Sequence, residues 1–197
     1  GSFSPVPYVS HGLQSEILHN IIDRTVSAMK SKSVPFAGFL YAGLMIDNKG
    51  KASVLEFNAR MGDPECQSLM VRMDSDLFEY LSFAEAGKLD DLPSMQWKEQ
   101  TSVCVVMAAR GYPSEYPKGQ IINGLKNAYP KEINIFHSGT THDSVGRIAT
   151  NGGRVLSVTA LAPKLGEARQ RAYEVVDEIT WGENGQYFRE DIGTYST

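Results

Sequence analysis

Val54-Leu-Glu-Phe-Asn-Ala-Arg-Met-Gly-Asp-Pro-Glu65 reads as a strand that ends by delivering a carboxylate and an amide to one face. Successive side chains on a strand point to opposite faces, so Val54, Glu56 and Asn58 alternate with Leu55, Phe57 and Ala59. Leu55 and Phe57 are expected in a core, while Glu56 and Asn58 look into a cleft. At the usual strand rise, the Glu56 and Asn58 Cα atoms stand about 6.6 Å apart. A Glu side chain leaning in from that distance can share one small ion with the amide oxygen. One charged and one neutral oxygen suit Mg²⁺ that keeps substrate phosphates and waters as its other ligands. Alternating Glu and Asn also occur on any solvated strand face. The next residues argue against that plainer reading. Arg60, Asp63 and Glu65 crowd into a turn whose backbone is fixed by Gly62 and Pro64. A merely wetted strand has no use for such a cluster.

Working outward, Phe39 to Ile46 and Ala52 to Asn58 flank Asp47-Asn-Lys-Gly50, the signature of a β-hairpin closed by a short Gly-containing loop. Asp47 and Asn48 serve as turn formers. Upstream, Leu13, Ile17, Leu18, Ile21, Ile22, Val26 and Met29 recur at helical spacing, with Ser10 as the N-cap. Downstream, Asp74 to Ala86 reads as a helix with Leu77, Tyr80, Leu81 and Ala84 on its apolar side and Gly87 as its stop. Polar, Pro-containing residues 88–100 mark a boundary, giving domains 1–98 and 99–197. Beyond it, Val103 to Ala108, Ile133 to Ser138 and Arg154 to Leu161 read as strands. Gly111 to Gly124 reads as a loop with a short extended piece. Glu167 to Ile179 is a helix with Ala168, Ala172, Tyr173, Val176 and Ile179 at core spacing. Thr150-Asn-Gly-Gly-Arg154 reads as a hairpin turn in preference to a phosphate-binding approach, because Asn151-Gly152 is a strong turn signal.

These motifs closely resemble the phosphoribosylamine–glycine ligase (glycinamide ribonucleotide synthetase) family of the ATP-grasp superfamily. The resemblance runs through residues 38–46 and 54–65. It continues in Arg72-Met-Asp-Ser-Asp-Leu77, Val105-Val-Met-Ala-Ala-Arg-Gly-Tyr-Pro113, Phe136-His-Ser-Gly-Thr140, Thr150-Asn-Gly-Gly-Arg-Val-Leu156 and Asp191-Ile-Gly193. The Leu55-to-Arg60 run alone indicates ATP-grasp in general; Gly62-Asp-Pro-Glu65 and the tail motifs narrow it. The implied fold class is α+β: the C-terminal part of an ATP-grasp domain, an antiparallel sheet with helices, then a small α/β C-terminal domain.

The implied reaction joins glycine to 5-phosphoribosylamine with ATP through a glycyl phosphate, giving glycinamide ribonucleotide, ADP and phosphate in purine synthesis. The implied cofactors are ATP and Mg²⁺ or Mn²⁺. Glu56 and Asn58 are the expected metal ligands, and with Arg60 they form the expected nucleotide site. Arg60 and Asp63 are the expected catalytic residues. Asp63 and Glu65 either orient substrate groups or are salt-bridged to Arg60 or Arg72. Ser4-Pro5 is expected to border the substrate pocket. The family's members are longer, so the chain is expected to be a fragment, inactive alone, whose partner is the N-terminal half of the same polypeptide. Two other readings compete: a different ATP-grasp ligase or carboxylase, and a non-catalytic binding domain.

Composition narrows the class. Across 197 residues the net charge is −4, with 42% hydrophobic and 21% charged residues. That balance opposes a broad nucleic-acid footprint. No run approaches 18 consecutive apolar residues, so no membrane span is expected. Cys66 and Cys104 lack metal or paired-thiol spacing, which fits reduced structural thiols of a cytoplasmic protein. His137 is expected as a hydrogen-bonded structural histidine, and His11, His19 and His142 show no zinc spacing.

Overall fold

A computed structural model describes residues 1–183 and 185–194. The chain forms two compact units. One comprises Gly1–Pro5, Asp63–Asp74 and Gln96–Thr197, the other Val6–Gly62 and Ser75–Met95.

The second unit begins with helix α1 (His11–Ile17), which passes through a π-helical stretch, Leu18–Asp23, into α2 (Arg24–Ser31). Ser10 caps it as expected, its hydroxyl accepting from the Leu13 amide at 3.2 Å. Strands β2 (Tyr41–Ile46) and β3 (Ala52–Asn58) form the predicted antiparallel hairpin. Asp47 closes its loop, accepting from the Lys49 and Lys51 amides at 2.9 Å each.

The hairpin departs from simple alternation. Gly43 pairs with Glu56 and Leu44 with Val54, so Leu55 is an extra residue on β3. A bulge of this kind resets which face each side chain takes. Val54 and Phe57 therefore line one groove together with Ile21, Thr25 and Met29. The expected core placement of Leu55 and Phe57 fails: Leu55 is 63% exposed and Phe57 42%. Beyond the bulge Glu56, Phe57 and Asn58 alternate normally, so Glu56 and Asn58 keep a common face.

The charged turn hid a short helix after it. Residues Glu65–Met70 form α3, opening directly after Pro64. Helix α4 (Leu77–Glu85) is capped by Asp76, whose carboxylate accepts from the Phe78 amide at 2.9 Å. It ends at Gly87 with φ +68°, a left-handed stop that glycine adopts without a steric penalty.

The first unit is built on a five-stranded antiparallel sheet. Its strands are β1 (Ser2–Ser4), β4 (Thr101–Ala109), β6 (Ile133–His137), β9 (Arg154–Ala162) and β11 (Gln186–Tyr187). The order is β1-β4-β9-β6, with β11 also on β4. Strands β4 and β9 are buried along nearly their whole length. Val103, Val105 and Met107 pair across to Ala160, Val158 and Leu156 and join the core formed with Ala168, Ala172 and Val176 of α5 (Leu165–Glu178). Burying each such Val, Leu or Met side chain contributes roughly 1.5–3 kcal/mol. Near the other edge, the Ser102 hydroxyl donates to the Ser68 carbonyl of α3 at 2.8 Å. Arg72 ties the segment after α3 to the end of the sheet where β1 finishes and β4 begins. Its guanidinium donates to the Gln100 carbonyl at 2.7 Å, the Ser4 hydroxyl at 2.7 Å and the Lys98 carbonyl at 3.1 Å.

Two small antiparallel pairs complete the unit: β5 (Ile122–Asn123) with β10 (Thr180–Trp181), and β7 (Thr140–His142) with β8 (Ile148–Thr150). Because β8 pairs with β7 while β9 pairs with β4 and β6, the Asn151–Gly153 turn joins two sheets. The expected hairpin across Thr150–Arg154 is corrected accordingly. The His137 ring sits 3.1 Å from the Thr140 hydroxyl, the local structural role expected of it.

Helix α5 offers a simple check on this packing. A Cβ added at Gly166 meets nothing within 4 Å. Gly166→Ala should therefore raise stability by roughly 0.5 kcal/mol through lower unfolded-chain entropy and better helix propensity. A melting temperature that falls in calorimetry would show that the first turn of α5 is strained.

Candidate functional site

Strand β3 brings Glu56 and Asn58 together as the alternation requires. The Asn58 amide donates to a Glu56 carboxylate oxygen at 2.9 Å. Opposite Glu56 stands Gly43, where a Cβ would lie 3.2 Å from the Glu56 Cγ. The glycine thus leaves room for the Glu56 side chain to lie along the hairpin. Glu56 is exposed and Asn58 half-buried, so both oxygens are open to a ligand. Arg60 follows on the same chain, exposed, its guanidinium donating to the Met61 carbonyl at 2.9 Å. Among the described residues, no group of three or more His, Cys, Asp or Glu side chains is placed to hold a metal. The donor set on β3 is one carboxylate plus one amide. That set fits a hard divalent cation taking its remaining ligands from phosphate and water, and it does not fit a self-sufficient protein cage.

Asp63 lies in the other unit. Its carboxylate meets the Arg154 guanidinium at 2.8 Å, and its carbonyl accepts from the same guanidinium at 2.9 Å. Gln67 also donates to the carboxylate, at 3.1 Å. The expected alternative partners, Arg60 and Arg72, are otherwise engaged: Arg60 with Met61, Arg72 with Ser4, Lys98 and Gln100. Glu65 occupies the first turn of α3, where a carboxylate suits the positive helix end. Ser4 is bound by Arg72.

Arg154 is the residue that sequence reasoning did not single out. It stands 91 positions beyond Asp63, and the signal present was only an Arg following a Gly pair at a strand start. The local structure explains its placement. The turn at Gly152 crosses the turn at Gly139 almost in contact: a Cβ on Gly139 would come 2.6 Å from the Gly152 Cα. A Cβ on Gly153 would collide with the Tyr112 ring. The Tyr112 ring therefore packs against the turn, and Arg154 lines the same cavity beside it. Together with Pro64, Tyr187, Phe188 and Arg189 these side chains line a cavity of about 200 Å³.

Cys66 does not join this chemistry as a nucleophile. Burial, with the Asp63 carboxylate adding to it, pushes its thiol pKa up, so the thiolate is disfavoured. Cys104 is buried in β4 and its thiol is likewise pushed up by burial. Neither forms a disulfide.

Comparison with known proteins gives these features a family. Residues 1–66 match the model of the phosphoribosylglycinamide synthetase ATP-grasp (A) domain, and residues 102–195 match that of the phosphoribosylglycinamide synthetase C domain. The phosphoribosylamine–glycine ligase of Vibrio cholerae is 45% identical over 193 residues, covering 98% of this chain and 44% of that protein. The chloroplastic phosphoribosylamine–glycine ligase of Arabidopsis thaliana is 45% identical over 196 residues, which is 36% of its length. The crystal structure of the Thermotoga maritima phosphoribosylamine–glycine ligase superposes with a TM-score of 0.78 at 30% identity, covering 96% of this chain and 45% of that one. A biotin carboxylase from Campylobacter jejuni shares the fold alone, with a TM-score of 0.63 at 15% identity. The chain thus spans under half the length of these curated relatives, and its helices and antiparallel sheets are the α+β architecture of ATP-grasp enzymes. It belongs to the phosphoribosylglycinamide synthetase family, carrying part of that family's ATP-grasp domain and its C domain.

Proposed function

We propose that the protein containing this chain ligates glycine to 5-phosphoribosylamine at the expense of ATP, forming glycinamide ribonucleotide, ADP and phosphate in cytoplasmic purine biosynthesis. The observation that carries the reading is the Glu56–Asn58 pair on β3, set in a chain that is 45% identical to such ligases over 98% of its length.

The chemistry asks for a carboxylate, glycine's, to attack the γ-phosphoryl group of a polyanion. Like charges oppose that approach, so the site must neutralise charge and fix an in-line geometry. Glu56 and Asn58 are the residues that would hold Mg²⁺ or Mn²⁺, which would supply that neutralisation. Glu56 contributes the anionic ligand. Asn58, being neutral, leaves more of the positive charge for the nucleotide. Arg60, exposed two positions further on, presents a guanidinium whose fork matches phosphate oxygens. Asp63 serves through Arg154, whose plane it fixes with two contacts. The second half-reaction, attack of the ribosylamine nitrogen on the glycyl phosphate, needs the amine held near the acyl carbon and water excluded.

The test is coupled ADP release. The complete enzyme should form ADP only when glycine and phosphoribosylamine are both present, and bicarbonate should not replace glycine. The 197-residue chain alone should be inactive. Bicarbonate-dependent ADP formation by the complete enzyme would move the protein to another branch of ATP-grasp chemistry.

A further inference from the structure

We propose that the free edge of strand β6 pairs with β6 of a second copy of this chain, antiparallel and centred on Ile135, so that two copies associate through one continuous sheet. Such an assembly is independent of the ligase reading and stands or falls without it.

Strand β6 ends the order β1-β4-β9-β6 and pairs only with β9, wholly within one compact unit. The hydrogen bonds at its two ends fix which backbone groups point outward. The Leu161 amide donates to the Glu132 carbonyl at 2.8 Å, and the Ser138 amide donates to the Val155 carbonyl at 3.0 Å. In an antiparallel ladder the bonded positions alternate, so Glu132, Asn134, Phe136 and Ser138 turn their backbone groups toward β9. Ile133, Ile135 and His137 therefore turn theirs away from it. The Ile133 amide is taken by the Pro130 carbonyl at 2.9 Å. Among the described residues nothing pairs with the Ile133 carbonyl or with the amides and carbonyls of Ile135 and His137. Exposed edges are usually guarded against a second chain by charge, proline or a bulge. Ile133-Asn-Ile-Phe-His137 contains no Pro, Lys, Arg, Asp or Glu, and its register with β9 runs without a shift.

Two features select a second copy as the occupant. First, the free backbone groups are complementary to themselves. About a two-fold axis at Ile135, each Ile135 amide faces the other copy's Ile135 carbonyl. Each His137 amide faces the other copy's Ile133 carbonyl. The Ile133 amide, already bound to Pro130, is not asked to donate, and only the His137 carbonyl at the ladder's end is left to water. Second, the charges balance. The grooves flanking β6 are lined by Lys126, Lys131 and Arg171 and by Glu132, Glu174 and Glu178. The chain carries a net charge of −4, so two copies repel on average. This patch sets positive groups against an equal number of negative ones, so it can face its own image without net repulsion. A closed two-fold interface demands that self-complementarity. A strongly acidic or basic partner would meet no opposing field there.

The experiment is sedimentation velocity of the complete enzyme over a micromolar concentration series, with amide hydrogen exchange read at both ends of the series. A monomer–dimer equilibrium is expected, and the Ile135 and His137 amides should gain protection as the dimer forms. His137→Pro removes an outward-facing donor at an exposed side chain and leaves the bonds to β9 in place. It should weaken association at least about tenfold, the loss expected for the hydrogen bonds it deletes, with the native circular dichroism spectrum kept. Lys131→Glu, at a side chain 92% exposed, tips the patch negative. It should weaken association at low salt and recover as salt screens the repulsion. Should His137→Pro not fold, Lys131→Glu decides the question alone. A complete enzyme that stays monomeric throughout the series would overturn the proposal. So would Ile135 and His137 amides equally protected at every concentration, since the rest of the same polypeptide would then cover the edge. A dimer that neither variant weakens would place the interface elsewhere and overturn it too.

Discussion

Glu56→Ala in the complete enzyme should lower turnover by at least about a hundredfold, the loss expected on removing one preorganised electrostatic contact to a transition state. The side chain is the only anionic one of the Glu56–Asn58 pair, and its partner amide already leans onto it at 2.9 Å. On the proposed reading, removing it takes away both the charge that would draw a divalent cation to β3 and the acceptor that orients Asn58. Folding should hardly notice. Glu56 is exposed and faces a glycine across the hairpin. Turnover and melting temperature should therefore separate cleanly in this variant. Glu56→Gln sharpens the test, because it keeps the shape and loses the charge. Raised Mg²⁺ or Mn²⁺ should recover part of its activity if coordination is the role. Near-normal turnover of Glu56→Ala at ordinary Mg²⁺ would remove the residue from the mechanism. An activity loss without any metal rescue of Glu56→Gln would assign it to structure.

Much of this molecule was legible because local signals coincide with its elements. Ser10, Asp47, Gly87 and the apolar run of β4 each carry a mechanism that acts within a few residues: a cap, a turn, a left-handed stop, a buried strand. The Glu56–Asn58 pair was legible for the same reason, since period-two alternation is a local property. What stayed hidden was set by partners far along the chain. Nothing in Val54-Leu-Glu announces that Leu55 is a bulge, because the register is decided by β2 and its Gly43. The fate of Leu55 and Phe57 followed from that register. The six-residue α3 was masked by the density of charge and Pro at its start. Asp63 offers the clearest case: sequence proximity suggested Arg60 or Arg72, and the fold supplied Arg154 from across the sheet. An ion pair between groups 91 residues apart has no one-dimensional signature.

That same long-range assembly predicts the second large effect, at a residue with no chemistry. Gly139→Ala should cost about 3 kcal/mol of stability, at the upper end of what overpacking imposes. A Cβ there would stand 2.6 Å from the Gly152 Cα, 2.7 Å from the Arg154 carbonyl oxygen and 2.8 Å from the Gly152 nitrogen. All three are backbone atoms, so no side chain can swing aside to relieve them. The turns are also laced by hydrogen bonds that a forced separation would stretch. The Gly139 amide donates toward the Arg154 and Val155 carbonyls at 3.0 and 2.9 Å, and the Asn151 amide donates to the Gly139 carbonyl at 2.7 Å. For a unit of this size, that loss lowers the melting temperature by roughly 6–15 °C. The Gly166→Ala variant, with open space around its added methyl, is the matched control for the glycine-to-alanine change itself. Moving the Gly152 turn also moves the start of β9 and with it Arg154 and its ion pair with Asp63. A melting temperature within about 2 °C of the parent would show that the two turns can part at little cost. The close crossing of glycines would then not be what holds Arg154 in place.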